Sequence, residues 1–204
     1  MAGIVPDPAS IRDFPDAEAF ARWLAANHSQ AKEIWLKIHK KDSGLPTVTY
    51  AEALDIALCW GWIDGQKKPF DEKSFLQRFT PRGPRSIWSQ RNIANVERLV
   101  AVGRMTEHGL RHVDAAKADG RWQAAYAAGS RMEIPDDLRA AIAADPAAEA
   151  MFATLNRQNR FALAFRTGQM KTPAGRQRKI TDFVAMLARG ETLHPNGKPK
   201  GSGR

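Results

Sequence analysis

Hydrophobic residues in the first half of the chain recur with helical spacing in some segments and with strand spacing in others. Phe20, Trp23 and Leu24 follow the i, i+3, i+4 spacing of one helix face, and Asp16 is placed to cap that helix. In the run EIWLKIHKK at residues 33–41, apolar residues alternate with other side chains. This period of two predicts a strand with one buried face.

The next segments predict a helix followed by a β-hairpin. Thr49 and Glu52 have the spacing of a capping box, and Gly61 ends the helix that they begin. Residues 62–67 and 74–79 have strand-like patterns and are separated by a turn-rich segment. Strands that are close in sequence usually pair, so the two are predicted to form an antiparallel hairpin.

A Pro/Gly-rich segment at residues 80–85 interrupts this pattern, because proline has no N–H to donate to a sheet. Ser86 or Ser89 then caps a helix that ends at Gly103, and Thr106 begins another. The residues of the first of these helices that are predicted to face inward are Ile93, Val96, Leu99 and Val100.

The second half predicts helices only, with starts at Pro135, Asp145–Pro146, near Asn159 and at Thr172–Pro173. The fold class is therefore α+β, with a small antiparallel sheet flanked by helices and followed by a C-terminal helical module. The predicted divisions are an α+β domain at residues 10–130, the helical module at 131–191, and flexible tails at 1–9 and 192–204.

The charge balance changes which partners are expected. The net charge is +9 and the pI is about 10.0, which favours an anionic small molecule, a protein partner or nucleic acid. An Arg-rich genome would produce the same excess. There is one cysteine, which excludes an intrachain disulfide and a Cys-based zinc cluster. Neither a long apolar run nor a leader-like N-terminus is present, so a cytoplasmic location without membrane insertion is expected.

Familiar catalytic signatures are missing. There is no GxSxG, P-loop or GxGxxG pattern, so no cofactor and no catalytic residue are predicted. His108 and His112 have the spacing of two metal ligands but lack a third, and no metal site is predicted. Cys59 follows an apolar helix face, which favours a buried inert thiol over a nucleophile. Asp64 could act as a general base, although an ion pair or a turn before Gly65 is the more common role.

The strongest candidate site is the segment around residues 58–92, which holds three of the six tryptophans. From residue 73 to residue 96 it contains no acidic residue. Arginine and tryptophan together hold anionic or planar ligands, although they also stack on one another within cores. Arginines in a Pro/Gly loop favour the surface and hence binding. The predicted ligand-binding residues are Trp62, Asp64, Arg78, Arg82, Arg85, Trp88, Ser89 and Asn92.

A second basic region lies between Glu149 and Asp182, where no acidic residue occurs. It suggests an alternative, nucleic-acid binding, with a steep dependence on salt. The competing interpretation is that acidic and basic helix faces pair with one another. The candidate nucleic-acid residues are Arg157, Arg160, Lys171, Arg176, Arg178 and Lys179.

Several motifs in succession resemble a known family: EIWLKIHKK, TYAEALDIALCWGWIDG, RFTPRGPRSIWSQRN, GRMTEHG and KTPAGRQRKITDFVAMLARGE. Over roughly residues 15–191 the chain resembles the YdeI/OmpD-associated, or bacteriocin-protection, family. Its first half is also similar to the broader YdhG/YdeI domains. Lys171, Arg176, Arg178 and Lys179 match the family's basic ending, but Ala174–Gly175 replaces its usual Glu-Thr.

The resemblance implies an α+β domain with a helical C-terminal module, tolerance of bacteriocins and antimicrobial peptides, and an association with a porin. It implies no catalytic residues. The expected function is therefore a non-catalytic binding protein of a bacterial stress or bacteriocin-tolerance pathway, with an Arg/Trp pocket for an anionic group. The alternatives are nucleic-acid binding through the basic helices, and an enzyme that uses Asp64 or Cys59.

Overall fold

Two parts of the chain, each with its own hydrophobic core, make up the computed structural model, which describes residues 4–126 and 132–196. The first unit spans residues 1–125 and the second spans residues 126–204. The α+β fold class is confirmed, because all the strands described belong to the first unit and the second is helical. No helix among the described residues is long and apolar enough to cross a bilayer.

The first unit is built on a four-stranded mixed sheet with the order β1-β2-β4-β3. The pairs β2–β4 and β3–β4 are antiparallel, and the second of these is the predicted hairpin. β1 runs parallel to β2, so the sheet that was predicted to be antiparallel is mixed. The strands are β1 (Ile11–Asp13), β2 (Ile34–His39), β3 (Trp62–Pro69) and β4 (Ser74–Pro81).

The alternation in β2 is present, but both of its faces are covered. Ile34, Leu36 and Ile38 point into the main core, as predicted. Trp35 lies on the opposite face and is also fully buried, where its Nε1 donates to Glu33 Oε1 at 3.2 Å. Lys68 Nζ lies 5.9 Å from the centroid of the Trp35 ring. The sheet therefore carries a small second apolar patch beneath charged side chains.

Side-chain caps begin the helices of the first unit at the predicted residues. Asp16, Thr49, Ser89 and Thr106 each accept a hydrogen bond from a backbone N–H of the first turn, and Thr49 forms the full capping box. Ser89, and not Ser86, is thus the cap of the third helix. The helices are α1 (Ala17–Asn27), α2 (Tyr50–Cys59), α3 (Gln90–Ala101) and α4 (Glu107–Ala118).

The core of the first unit lies between the sheet and α1 to α4. Val96 and Leu99 of α3 enter it, and Ile93 is partly buried against it. Val100 is 48% exposed, so its predicted inward position is wrong. Gly61 has φ of +71°, a conformation that favours glycine, and it reverses the chain from α2 into β3.

The second unit consists of four helices around a separate core. The helices are α5 (Asp136–Ala143), α6 (Pro146–Thr154), α7 (Arg157–Gly168) and α8 (Pro173–Ala188). Pro135, Asp145, Asn156 and Thr172 precede them as caps. The core is formed by Leu138, Ile142, Ala148, Phe152, Leu155, Leu163, Ile180, Phe183 and Leu187.

Both predicted flexible tails contain residues that make hydrogen bonds in the structure. At the N-terminus, Asp7 caps a 3-10 turn at Pro8–Ser10, which leads into β1. At the C-terminus, Asn196 Oδ1 accepts from Asn156 N at 2.8 Å and from Asn159 Nδ2 at 3.2 Å. Flexibility of the two tails stays a prediction, and residues 1–3 and 197–204 lie outside the described part of the chain.

Candidate anion-binding site

The segment between β4 and α3 continues the β3–β4 ladder for one residue and then turns away from the sheet. Arg82 N donates to the Gly61 carbonyl oxygen at 2.9 Å, and Ser86 N donates to the Gly83 carbonyl oxygen at 3.0 Å. Pro84 has no N–H and prevents strand pairing here. We refer to residues 82–89 as the basic loop.

Arg82 is held inside this loop. Its Cζ lies 3.5 Å from the centroid of the Trp88 ring, and its Nη1 donates to the Ile87 carbonyl oxygen at 3.3 Å. The residue is only 5% exposed, so the prediction that Arg82 lies at the surface is wrong. Cation–π stacking and a bond to a loop carbonyl explain its position. Arg82 fixes the shape of the loop from within.

Residues that follow α4 hold the other side of the loop. The Trp122 ring lies 4.9 Å from the Trp88 ring, centroid to centroid, and Trp88 is 2% exposed. Arg121 Nη1 donates to the Ser86 carbonyl oxygen at 2.8 Å, while its Nη2 pairs with Asp119 Oδ2 at 2.7 Å. The loop is therefore held against a distant part of the sequence by a tilted contact between two indole rings and by a hydrogen bond.

Positively charged side chains lie near this loop, and they affect the pKa of His112. Burial is the largest cause that lowers the pKa of His112, and the charges of Arg82 and Arg121 lower it further, as does His108. The imidazole of His112 also lies against Gly61, where an added Cβ would approach its Cδ2 to 2.4 Å. Neighbouring cations favour the neutral imidazole and would stabilise an anion brought to the same place.

The basic loop presents other groups outward. Arg85 and, in the first turn of α3, Arg91 are exposed. That first turn contains no acidic residue. Ser89 Oγ accepts from the Asn92 backbone N–H at 3.1 Å as the helix cap, and both of these predicted ligand-binding residues are buried. The exposed guanidinium groups beside a helix N-terminus form a surface that can attract an anion.

Three of the predicted site residues lie elsewhere in the first unit. Trp62 is buried in the core. Asp64 Oδ2 accepts from the Tyr50 hydroxyl at 2.8 Å. Arg78 Nε donates to Glu33 Oε2 at 2.7 Å on the outer face of the sheet. The eight candidate residues therefore do not converge on one pocket.

The alternative chemistry also finds little geometric support. Burial is the largest cause that raises the pKa of the Cys59 thiol, opposed in part by Arg104 and Arg98, and the residue is 5% exposed. A reactive thiol needs the opposite environment. Within the described residues, no three His, Cys, Asp or Glu side chains come close enough to hold a metal ion.

The basic residues of the second unit divide into two groups. Arg176 forms two hydrogen bonds with Asp137, of 2.6 and 2.8 Å, and donates to the Thr167 carbonyl oxygen. Arg160 donates to carbonyl oxygens at the end of α6, and Lys179 Nζ lies 3.7 Å from Asp182 Oδ2. The remaining candidates are exposed: Arg157, Lys171 and Arg178. Three of the six candidate nucleic-acid residues therefore have partners within the second unit.

Sequence reasoning considered His112 only as half of a metal-ligand pair, and it missed Arg121 and Trp122, which complete the basic loop. The only signal for them was an adjacent Arg-Trp pair after Gly120, at the end of a predicted helix. Such a pair is common in helix ends that make no tertiary contact. The contact between Trp88 and Trp122 depends on the path of α4, which no local pattern encodes.

Comparison with known proteins gives two matches to family models. Residues 131–190 match the family described as Bacteriocin-protection, YdeI or OmpD-Associated. Residues 12–112 match a separate model, Domain of unknown function (DUF8412). The resemblance noted over residues 15–191 is thus shown for the C-terminal part. No curated protein and no solved structure matches the chain.

Proposed function

We propose that this chain, whose residues 131–190 belong to the bacteriocin-protection, YdeI or OmpD-associated family, is a binding protein of a bacteriocin-tolerance pathway. Its N-terminal unit binds an anionic partner at the basic loop. The function is binding without catalysis.

The proposal rests on the different positions of the arginines in the basic loop and at the start of α3, one of which is buried while two are exposed. Arg82 is buried on Trp88 and holds the loop in place. Arg85 and Arg91 are exposed on the surface that this creates. Binding groups on a preorganised loop lose little conformational entropy when a ligand binds, which supports a recognition role. The contact residues are therefore Arg85 and Arg91, and Arg82 is a positioning residue.

The test measures the affinity of the double variant Arg85→Ala/Arg91→Ala for tripolyphosphate and for a short single-stranded DNA. Loss of two phosphate contacts should reduce the slope of log K against log salt by about 1.4 for the DNA. Because both side chains are exposed, the free energy of unfolding should change by less than about 0.5 kcal/mol. Fluorescence anisotropy and urea denaturation provide the two measurements.

The matched control is Arg22→Ala/Arg111→Ala, which removes the same total charge from two exposed arginines paired with Glu18 and Glu107. It should retain the wild-type affinity. Wild-type affinity in the Arg85→Ala/Arg91→Ala variant would show that the basic loop is not the site. If DNA binding is instead lost only in Arg157→Ala/Lys171→Ala/Arg178→Ala, nucleic acid binds the second unit and the proposal fails.

A further inference from the structure

A groove that shares no residue with the basic loop lies where β1 and β2 approach the turn between β3 and β4. It consists of two neighbouring cavities of about 430 Å³ and 340 Å³, which we call the His39 groove. Lys37, His39 and Leu45 line both cavities. The first is completed by Asp13, Pro15 and Pro46, and the second by Asp71, Glu72 and Lys73. Volumes of this size suit a small ligand.

One ring nitrogen of His39 is hydrogen-bonded and the other is not, within the part of the chain that the structure describes. Its Nε2 lies 2.9 Å from Asp13 Oδ2. Because an ionised carboxylate can only accept, this contact places a ring proton on Nε2 and makes Nδ1 an acceptor in the neutral ring. The side chain is 8% exposed, and Nδ1 makes no hydrogen bond within the described residues. Nδ1 is closed to solvent, so it can report a change in the groove without contacting a ligand itself.

Strand register places a hydroxyl beside this ring. His39 and Ser74 are opposite one another in the β2–β4 ladder, and Lys40 N donates to the Lys73 carbonyl oxygen at 2.7 Å. His39 and Ser74 are therefore a pair that exchanges no backbone hydrogen bonds, whose side chains come closest. Ser74 Oγ makes no well-aligned hydrogen bond, although it lies near enough to be the largest cause that lowers the pKa of Asp71.

The rim of the groove mixes donors, acceptors and apolar surface. Lys37 Nζ lies 3.8 Å from Asp71 Oδ2 and 5.3 Å from the centroid of the Phe70 ring. Phe70 and Leu45 are each about half exposed, at 49% and 51%. The lining lysines are matched by acidic residues, so the groove does not share the net positive charge of the chain. A simple anion or cation would meet as much repulsion as attraction there.

We propose that the His39 groove binds a neutral, hydroxyl-rich ligand of sugar size. Each hydroxyl of such a ligand is both a donor and an acceptor, so one ligand can donate to the Asp13 carboxylate and accept from Lys37, while the His39 ring forms part of the wall. The half-exposed Phe70 and Leu45 offer apolar surface to the C–H face of a sugar ring.

The test uses histidine side-chain ¹⁵N NMR of the full chain during titration with glucose and N-acetylglucosamine. Either sugar should shift the His39 Nδ1 resonance, while the ring nitrogens of the other four histidines serve as internal controls. The Lys37→Met variant lacks the Nζ donor, and it should bind the sugars about 2- to 10-fold more weakly. Lys41→Met removes an equal charge from a residue outside the groove lining and should bind as wild type.

The same titration with acetate, inorganic phosphate and ethylamine decides the ligand class. A shift of His39 Nδ1 with a charged probe and not with the sugars would overturn the proposal, as would no shift with any probe. Equal weakening by Lys37→Met and Lys41→Met would also overturn it, because the effect would then reflect charge and not the groove. Since no residue of the basic loop is changed, failure here is separate from failure of the proposed function.

Discussion

At the scale of single residues, removal of the buried Arg82 guanidinium should affect Trp88 and His112 in different ways. Its stacking on Trp88 stabilises the loop, and a desolvated cation–π contact contributes on the order of 2 kcal/mol. Its charge acts on His112, where it lowers the pKa together with burial and Arg121. A substitution of Arg82 therefore tests structure and electrostatics at once.

We expect Arg82→Gln to raise the pKa of His112, because one of the cations that disfavour the imidazolium is removed. The pKa should stay below the ordinary histidine value of about 6.5, since burial is the larger cause. Because the folded state disfavours the imidazolium, the protein is most stable above about pH 6.5 with respect to His112, and it loses this stability as the pH falls through the lower folded pKa. A smaller depression of the pKa in the variant means that it should lose less stability on acidification. NMR titration of the His112 ring measures the shift.

The control for this substitution is Arg85→Ala, which removes an exposed charge that is not among the causes of the His112 shift. It should leave the His112 titration unchanged. If Arg82→Gln leaves the pKa unchanged or lowers it, the guanidinium does not lie beside this imidazole.

At the scale of elements, the predictions that succeeded rest on local chemistry. The capping box of Thr49 and Glu52 and the caps at Asp16 and Thr106 needed only residues within one helical turn. β1 was missed because three residues carry no detectable period and because its partner strand is distant in sequence, with Ile11 paired to Trp35. Local patterns contain the start of a helix but not the partner of a short strand.

The C-terminal tail shows a second limit of the same kind. Its composition, rich in Gly, Pro and Lys, is typical of disorder. Asn196 nevertheless bonds to Asn156, Asn159 and the Thr154 carbonyl oxygen. These bonds satisfy backbone groups at the end of α6 and the start of α7. Those groups lack intrahelical partners only once both helices have formed.

The close approach of α4 to the end of α2 gives a prediction for Gly109. A Cβ at this position would lie 2.3 Å from the Cys59 carbonyl oxygen and 2.8 Å from its carbonyl carbon, and Thr106 already bonds to the same oxygen. Backbone atoms cannot rotate away, so Gly109→Ala should destabilise the protein by about 1–3 kcal/mol in urea denaturation.

Gly168→Ala is the matched control, because this helical glycine has nothing within 4 Å of an added Cβ. It should be neutral or stabilising by up to about 1 kcal/mol, as alanine favours helices over glycine. Equal effects of the two alanines would contradict the tight contact between α2 and α4.

At the scale of the whole molecule, the charge pattern drew attention to the basic loop but did not distinguish its buried arginine from its exposed one. Arg82 and Arg85 are nearly identical in local sequence, since both lie in a Pro/Gly segment. What separates them is Trp88 beneath Arg82, and Trp122, which packs on Trp88 from beyond α4. The inward and outward arginines of a loop can be told apart only when the tertiary packing is known.

The two cores share no residue, so the second unit should fold by itself. A fragment of residues 126–204 contains α5 to α8 and the ion pairs Arg139–Glu149 and Arg176–Asp137. Domains of this length can bury enough apolar surface to fold alone. We expect a helical circular dichroism spectrum and a cooperative urea transition.

Two variants make the experiment on this fragment decisive. Leu187 is fully buried in the second core, so Leu187→Ala should cost about 2–5 kcal/mol and shift or abolish the transition. Lys171 is exposed, and Lys171→Ala should leave the midpoint nearly unchanged. A fragment that is helical but unfolds without cooperativity, and with the same response to both substitutions, would show that the nine buried side chains of α5 to α8 and their connections do not form a core without residues 1–125.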